Sequence, residues 1–185
     1  MRVVAGRYKG HRLVAPGRRS ARPTQDKVRE ALFSILGPVE DMRVLDLYAG
    51  SGALGIEALS RGAAHATFVD SDLAAVRAVR QNLARLKISD ATVMRAGVPV
   101  FLRTAARRGE RWDLVLCDPP YRLAHRLGHE LDQLLTPVLS SDARVVCESS
   151  VKMPLRLDLP VLTERRYGDT LIIVHGPARK VRNEP

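Results

Sequence analysis

Cysteine, clustered histidine, long apolar runs and acidic charge are all scarce in this chain of 185 residues. Its two cysteines, Cys117 and Cys147, are too few for a disulfide framework. Each sits in an apolar run that reads as a core strand, so a reduced, cytoplasmic compartment is expected. No apolar stretch reaches the ~18 residues of a membrane span, and the charged start of the chain is not followed by a hydrophobic segment. Neither a membrane span nor a secretory signal is therefore expected. The five His are scattered, no Cys/His cluster has metal-ligand spacing, and no metal is required. No internal repeat is evident. What is present is 45% hydrophobic residues with moderate charge, enough to bury a real core in one domain with at most a small appendage.

Acidic residues are outnumbered 20 to 30, for a net charge of +10, and the imbalance is local. Residues 1–30 hold nine basic residues (Arg2, Arg7, Lys9, Arg12, Arg18, Arg19, Arg22, Lys27, Arg29) against Asp26 and Glu30. The other 155 residues carry 21 basic and 18 acidic groups. Arg supplies 25 of the 30 cations, as a G+C-rich genome would produce, but that bias would not concentrate charge in one sixth of the chain. A basic arm on a nearly neutral body implies a polyanionic partner, most simply nucleic acid.

Residues 2–5 and 11–14 are short strand-like runs separated by Gly6 to Gly10, which reads as a hairpin. Residues 16–23 are linker-like. Thr24 is placed to cap a helix that Gly37-Pro38 stops, with Val28, Leu32, Ile35 and Leu36 at helical spacing. The appendage is thus residues 1–38 and the main domain 39–185. From residue 42 strands and helices alternate. Strands fall at 43–48, 66–70, 91–95, 112–117 and 143–148, and helices run to about 61, from 73 to 86, over 98–107 and over roughly 124–136. Two β-rich runs, 161–167 and 170–175, joined through Gly168-Asp169, form a closing hairpin. The expected fold class is α/β: a mostly parallel seven-stranded sheet, Rossmann-like, with helices on both faces. Its ligand would lie at the carboxyl ends of the strands, near the switch point of the topology.

The turns at those strand ends carry the chemistry. The first reads Asp46-Leu-Tyr48-Ala-Gly50-Ser51-Gly52 and runs into a helix, so glycine allows close backbone approach and the helix start offers free N–H groups. Gly50, Gly52 and Gly55 also satisfy G-x-G-x-x-G, which keeps a dinucleotide site and an NAD-dependent oxidoreductase open. Asp70, ending the second strand, is placed for ribose hydroxyls. The fourth strand ends in Asp118-Pro119-Pro120-Tyr121. The prolines make a rigid turn rich in acceptors, Asp118 and neighbouring carbonyls can accept from an exocyclic amine, and Tyr121 offers a stacking face for a flipped base.

Asp46-Leu-Tyr-Ala-Gly-Ser-Gly, Asp70 and Asp118-Pro-Pro-Tyr, in this order, resemble an S-adenosyl-L-methionine-dependent methyltransferase of class I fold acting on a base amine. The Arg22-Pro23-Thr24 segment running into Asp26-Lys-Val-Arg-Glu-Ala-Leu-Phe33 narrows the resemblance to the RsmD-type 16S ribosomal RNA (guanine-N2)-methyltransferases. This resemblance implies that Asp46, Tyr48, Gly50, Ser51 and Gly52 border the methionine part of S-adenosyl-L-methionine and that Asp70 binds the ribose. It places Ala96, Gly97 and Val98 against the adenine. At Gly97, related enzymes often carry an acid or amide that this chain lacks. The catalytic turn would be Asp118, Pro119, Pro120 and Tyr121. The basic arm (Arg2, Arg7, Tyr8, Lys9, Arg12, Arg18, Arg19, Arg22) would grip RNA. The partner implied is 16S rRNA or the small ribosomal subunit, with no membrane, no metal and a monomeric enzyme. Rival readings are a DNA adenine or cytosine amino-methyltransferase and a non-catalytic RNA-binding assembly factor.

Overall fold

The structure, a computed structural model, describes residues 1–17 and 23–176, and for 23–25 and 121–127 the backbone alone. Arg18, Arg19 and Arg22 lie outside the described residues. The main domain runs β1 (Arg43–Leu47), α2 (Ala53–Ser60), β2 (His65–Asp70), α3 (Leu73–Leu86), β3 (Ala91–Arg95), α4 (Val98–Arg107), β4 (Trp112–Cys117), α5 (Tyr121–Leu135), β5 (Leu139–Ser150), β6 (Val161–Tyr167) and β7 (Thr170–His175). Helix α1 (Pro23–Leu36) precedes it. The strands form one sheet in the order β3-β2-β1-β4-β5-β7-β6. The first five are parallel, and β7 runs antiparallel to both β5 and β6. The expected parallel sheet ending in a hairpin is borne out. Connections leave β1 and β4 in opposite directions, so the switch point lies between these two strands.

Two apolar layers sandwich the sheet. Leu32 and Phe33 of α1, Ile56 of α2 and Val79 of α3 pack with Val44, Phe68 and Leu116 on one face. Phe101 and Leu102 of α4 and Leu131 and Leu135 of α5 pack with Leu45, Val115 and Cys147 on the other. Central strands covered on both faces become continuous apolar runs, as β4 shows. Cys117 and Cys147 are buried free thiols opposite one another on β4 and β5.

The arm doubles back as the expected hairpin, though a short one, and it is docked on α2. It has one antiparallel bridge, Arg2 to Arg12, with Val3 N–H donating to the His11 carbonyl, Gly10 N–H to the Val3 carbonyl and Leu13 N–H to the Met1 carbonyl. The N–H groups of Val4 and Ala5 donate to Glu57 of α2 at 2.8 and 2.9 Å, and Tyr8 N–H donates to Ser60 Oγ. Gly6 sits at φ 76°, and a Cβ there would lie 1.8 Å from the Ser60 carbonyl oxygen, so only glycine permits this approach. Val3 and Leu13 join the core layer of α1. Three boundaries differ from expectation. Helix α1 begins at Pro23, so Thr24 lies within its first turn rather than capping it; proline is well suited to a first helical position. Helix α5 begins at Tyr121 rather than near 124, because Pro120 serves as its cap residue at φ −53°. Strand β5 begins at Leu139, where the polar run Ser140-Ser141-Asp142 hides the strand pattern.

Candidate active site

The turns after β1, β2, β3 and β4 meet at the carboxyl edge of the sheet. Leaving β1, Tyr48 takes φ 57°, a conformation rare for a non-glycine residue, and Gly50 and Gly52 follow at 56° and 76°. Gly52 is the cap residue before α2, and a Cβ there would press within 3.2 Å of the Phe68 and Val79 side chains. Tyr48 packs its ring into the α4–α5 layer, and burial pushes its phenol pKa up. Ser51 is buried beneath this turn.

Two carboxylates shape the turn. Asp46 is buried and accepts from Gly55 N–H at 2.9 Å. Burial pushes its pKa up to about 8, the Gly55 bond opposing and Asp70 reinforcing the rise. Asp70 accepts from Gly50 N–H through one oxygen and from Asp72 N–H through the other, both at 2.9 Å, and so draws the first two turns together. At the third turn, Ala96 N–H donates to the Asp70 carbonyl, half-buried Ala96 leans on the α4–α5 layer, and Val98 is a core residue. Gly97 is exposed, with φ −67°, and a Cβ there meets nothing within 4 Å. Neither conformation nor space requires glycine at this position.

Asp118 follows β4 and faces solvent, Pro119 is buried, and Pro120 is exposed at the start of α5. Tyr121 is the first residue of that helix. In the β4–β5 register, Leu116 opposes Val146 and Cys117 opposes Cys147, so Asp118 and Glu148 each follow directly on the last paired residues. Surrounding protein raises the Asp118 pKa, and Glu148 and Asp46 raise it further. Burial likewise raises that of Glu148, while Arg29 of α1 opposes the rise. Sequence reasoning missed Glu148, although the signal was the one that marks Asp70 and Asp118: a carboxylate ending an apolar strand.

On the arm, Arg2, Arg7, Lys9 and Arg12 are exposed, and Arg7 lies over the half-buried Tyr8 ring at 5.5 Å. Arg2 also approaches Asp26 at 3.6 Å. Arg29 does not belong to this surface: it is 4% exposed, bonds Asp26 and the Arg2 carbonyl, and lies 3.6 Å from Glu57. Among the described residues no group of three or more His, Cys, Asp and Glu could hold a metal, and no helix is long and apolar enough to cross a membrane. A shallow depression of about 660 Å³ lined by Gly6, Phe33, Glu40 and Arg61 lies away from the strand ends.

Comparison with known proteins extends this geometry. The family model described as Conserved hypothetical protein 95 matches residues 1–175, arm included. Ribosomal RNA small subunit methyltransferase D of Escherichia coli is 44% identical over 155 residues, 82% of this chain and 76% of that protein. The Bacillus subtilis protein YlbH is 40% identical over 185 residues, covering 95% of this chain and 98% of its own length. The solved structure of the Escherichia coli protein yhhF superposes with a TM-score of 0.81 at 36% identity, over 96% of this chain and 97% of that one. The fold thus recurs over nearly the whole length of both chains. The chain belongs to the Conserved hypothetical protein 95 family, which is the family of ribosomal RNA small subunit methyltransferase D.

Proposed function

We propose that this protein transfers a methyl group from S-adenosyl-L-methionine to the exocyclic N2 of a guanine in 16S rRNA, in an assembled or nearly assembled small subunit. The observation that carries the reading is the convergence of Asp46, Asp70 and Asp118 around one glycine turn at the switch point. The residues present fit the cofactor. The positive-φ turn allows close approach, Asp70 has lone pairs left for ribose hydroxyls, and the open space at Gly97 leaves room for a flat ring. A cationic sulfonium nearby would draw the Asp118 carboxyl, its pKa raised by Glu148 and Asp46, back toward its ionised form. When bound, the cofactor supplies an electrophilic methyl group.

This chain's own groups do the rest. The guanine N2 lone pair is delocalised into the ring. Hydrogen bonds from the amine to Asp118 and to the Pro119 carbonyl favour a more pyramidal, more nucleophilic nitrogen. Holding that nitrogen in line with the methyl group removes much of the barrier. As the N–C bond forms and the S–C bond breaks, the amine sheds a proton, and Asp118 is the acceptor at hand. Tyr121, opening α5, stacks on the extruded base.

Because Glu148 raises the Asp118 pKa, Glu148→Gln should move Asp118 ionisation to lower pH. The rate is expected to rise with pH as Asp118 ionises, and the inflection of kcat/KM against pH should shift to the acid side in that variant. An unmoved inflection would uncouple the two carboxyls.

The exposed cations of the arm contact RNA phosphates. Replacing Arg7, Lys9 and Arg12 with Gln should weaken RNA binding and reduce the slope of log K against log salt by up to about three. Equal slopes would remove the arm from the RNA interface. Tritiated methyl transfer offered unmodified small subunits or double-stranded DNA tests the substrate class. Label in the subunits supports the reading, whereas label in DNA alone favours a DNA amino-methyltransferase. A ribosomal substrate places the enzyme in the cytoplasm.

A further inference from the structure

One buried amide joins the arm to the glycine turn. Asn82 lies in the apolar stripe of α3 and is fully buried. Its Nδ2 donates to the Ser51 carbonyl in the turn and to the Val14 carbonyl in the arm, each at 2.9 Å. Its Oδ1 accepts from Val14 N–H at 2.7 Å. Both donors and one acceptor of the side chain are therefore spent on holding two segments that lie 37 residues apart in the sequence. Ser51 adds a second link, its hydroxyl donating to Met1 Sδ at 3.2 Å. At the far end of α2, Glu57 and Ser60 hold residues 4, 5 and 8. The arm thus braces the turn and the helix that follows it.

Positive φ strains this turn at Tyr48, and the freedom of Gly50 and Gly52 must be lost to hold one shape; a site binds tightly when it is already shaped. We propose that Asn82 is a positioning residue that fixes the Ser51 end of the cofactor turn against the docked arm, so that cofactor affinity depends on the arm even without RNA. The inference rests on reading this turn as the cofactor site. Linkage makes the effect reciprocal: cofactor binding steadies the arm by the same factor by which the docked arm strengthens cofactor binding. The arm is then part of the cofactor site as well as an RNA contact.

The probe is S-adenosylhomocysteine, titrated calorimetrically without RNA into the full chain, wild type and Asn82→Asp. The substitution keeps the size of the side chain and the acceptor for Val14 N–H, but turns the donor facing Ser51 and Val14 carbonyls into an oxygen. Its Kd should rise about tenfold, within the span usual for linked sites. KM for S-adenosyl-L-methionine should rise in parallel while kcat at saturation stays within about twofold. A merely structural Asn82 would lower Tm and leave both constants unchanged, and that result overturns the inference. If the variant does not fold, hydrogen exchange of the wild type decides. Saturation with S-adenosylhomocysteine should slow exchange of the Val14 amide by about fivefold or more, and unchanged protection overturns the inference. No binding to the wild type would overturn the cofactor reading and this inference together; equal binding to both proteins overturns this inference alone.

Discussion

Asp118→Ala should slow methyl transfer by about a thousandfold while S-adenosylhomocysteine binds within about threefold of wild type. The split follows from where Asp118 stands. It follows β4, on the far side of the switch point from Asp70, whose two oxygens tie the first two turns together. Among the described residues the carboxylate accepts no hydrogen bond, and the Asp70 bonds that shape the glycine turn do not involve it. What is lost is the acceptor for the reacting amine and, with it, the in-line geometry. Asp118→Asn keeps an acceptor oxygen but no charge, and should recover part of the rate. Single-turnover assays with saturating cofactor measure the chemical step. A variant with wild-type turnover would end the assignment of Asp118, and one that no longer binds the cofactor product would move it to the cofactor site.

Glu57→Ala should cost about 3–5 kcal/mol of stability, read from urea unfolding. Glu57 is wholly buried in an otherwise uncharged helix and is satisfied from several sides. It accepts from Val4 and Ala5 N–H and from Arg61 Nε at 2.9 Å, with Arg29 Nε at 3.6 Å. Truncation strands two backbone donors and leaves the Arg29 guanidinium, itself 4% exposed, without one of its two carboxylate neighbours. Removing one partner of a buried charge cluster costs more than the cluster contributes as a whole. The arm should loosen with it, so limited proteolysis should cut within residues 1–17 before the body. A loss under about 1 kcal/mol would mean that the arm is docked by its apolar residues alone.

Much of this was legible in the sequence, for identifiable reasons. Strands β4, β6 and β7 and helix α4 have the bounds their apolar runs and Gly, Pro and Asp punctuation announce. The glycine turn, Asp70 and the Asp-Pro-Pro-Tyr turn were legible because each couples a local pattern to the end of a strand. What escaped is long-range. Nothing near Glu57 announces that it takes up N–H groups more than fifty residues away, and so docks the hairpin on α2. Asn82 shares the buried stripe of Val79, Leu83 and Leu86, where a polar residue is itself a signal, but its partners at Ser51 and Val14 are visible only in the fold. Arg29 was counted with the arm's charge and is instead an internal ion-pair partner.

The most direct measurement uses small subunits from cells lacking this protein, incubated with methyl-labelled S-adenosyl-L-methionine and the purified enzyme, then digested to nucleosides. The label should appear as N2-methylguanosine, at one position of 16S rRNA, and should vanish with Asp118→Ala. Label in an adenosine, in a cytidine or in a ribosomal protein would contradict the chemistry assigned to these strand ends.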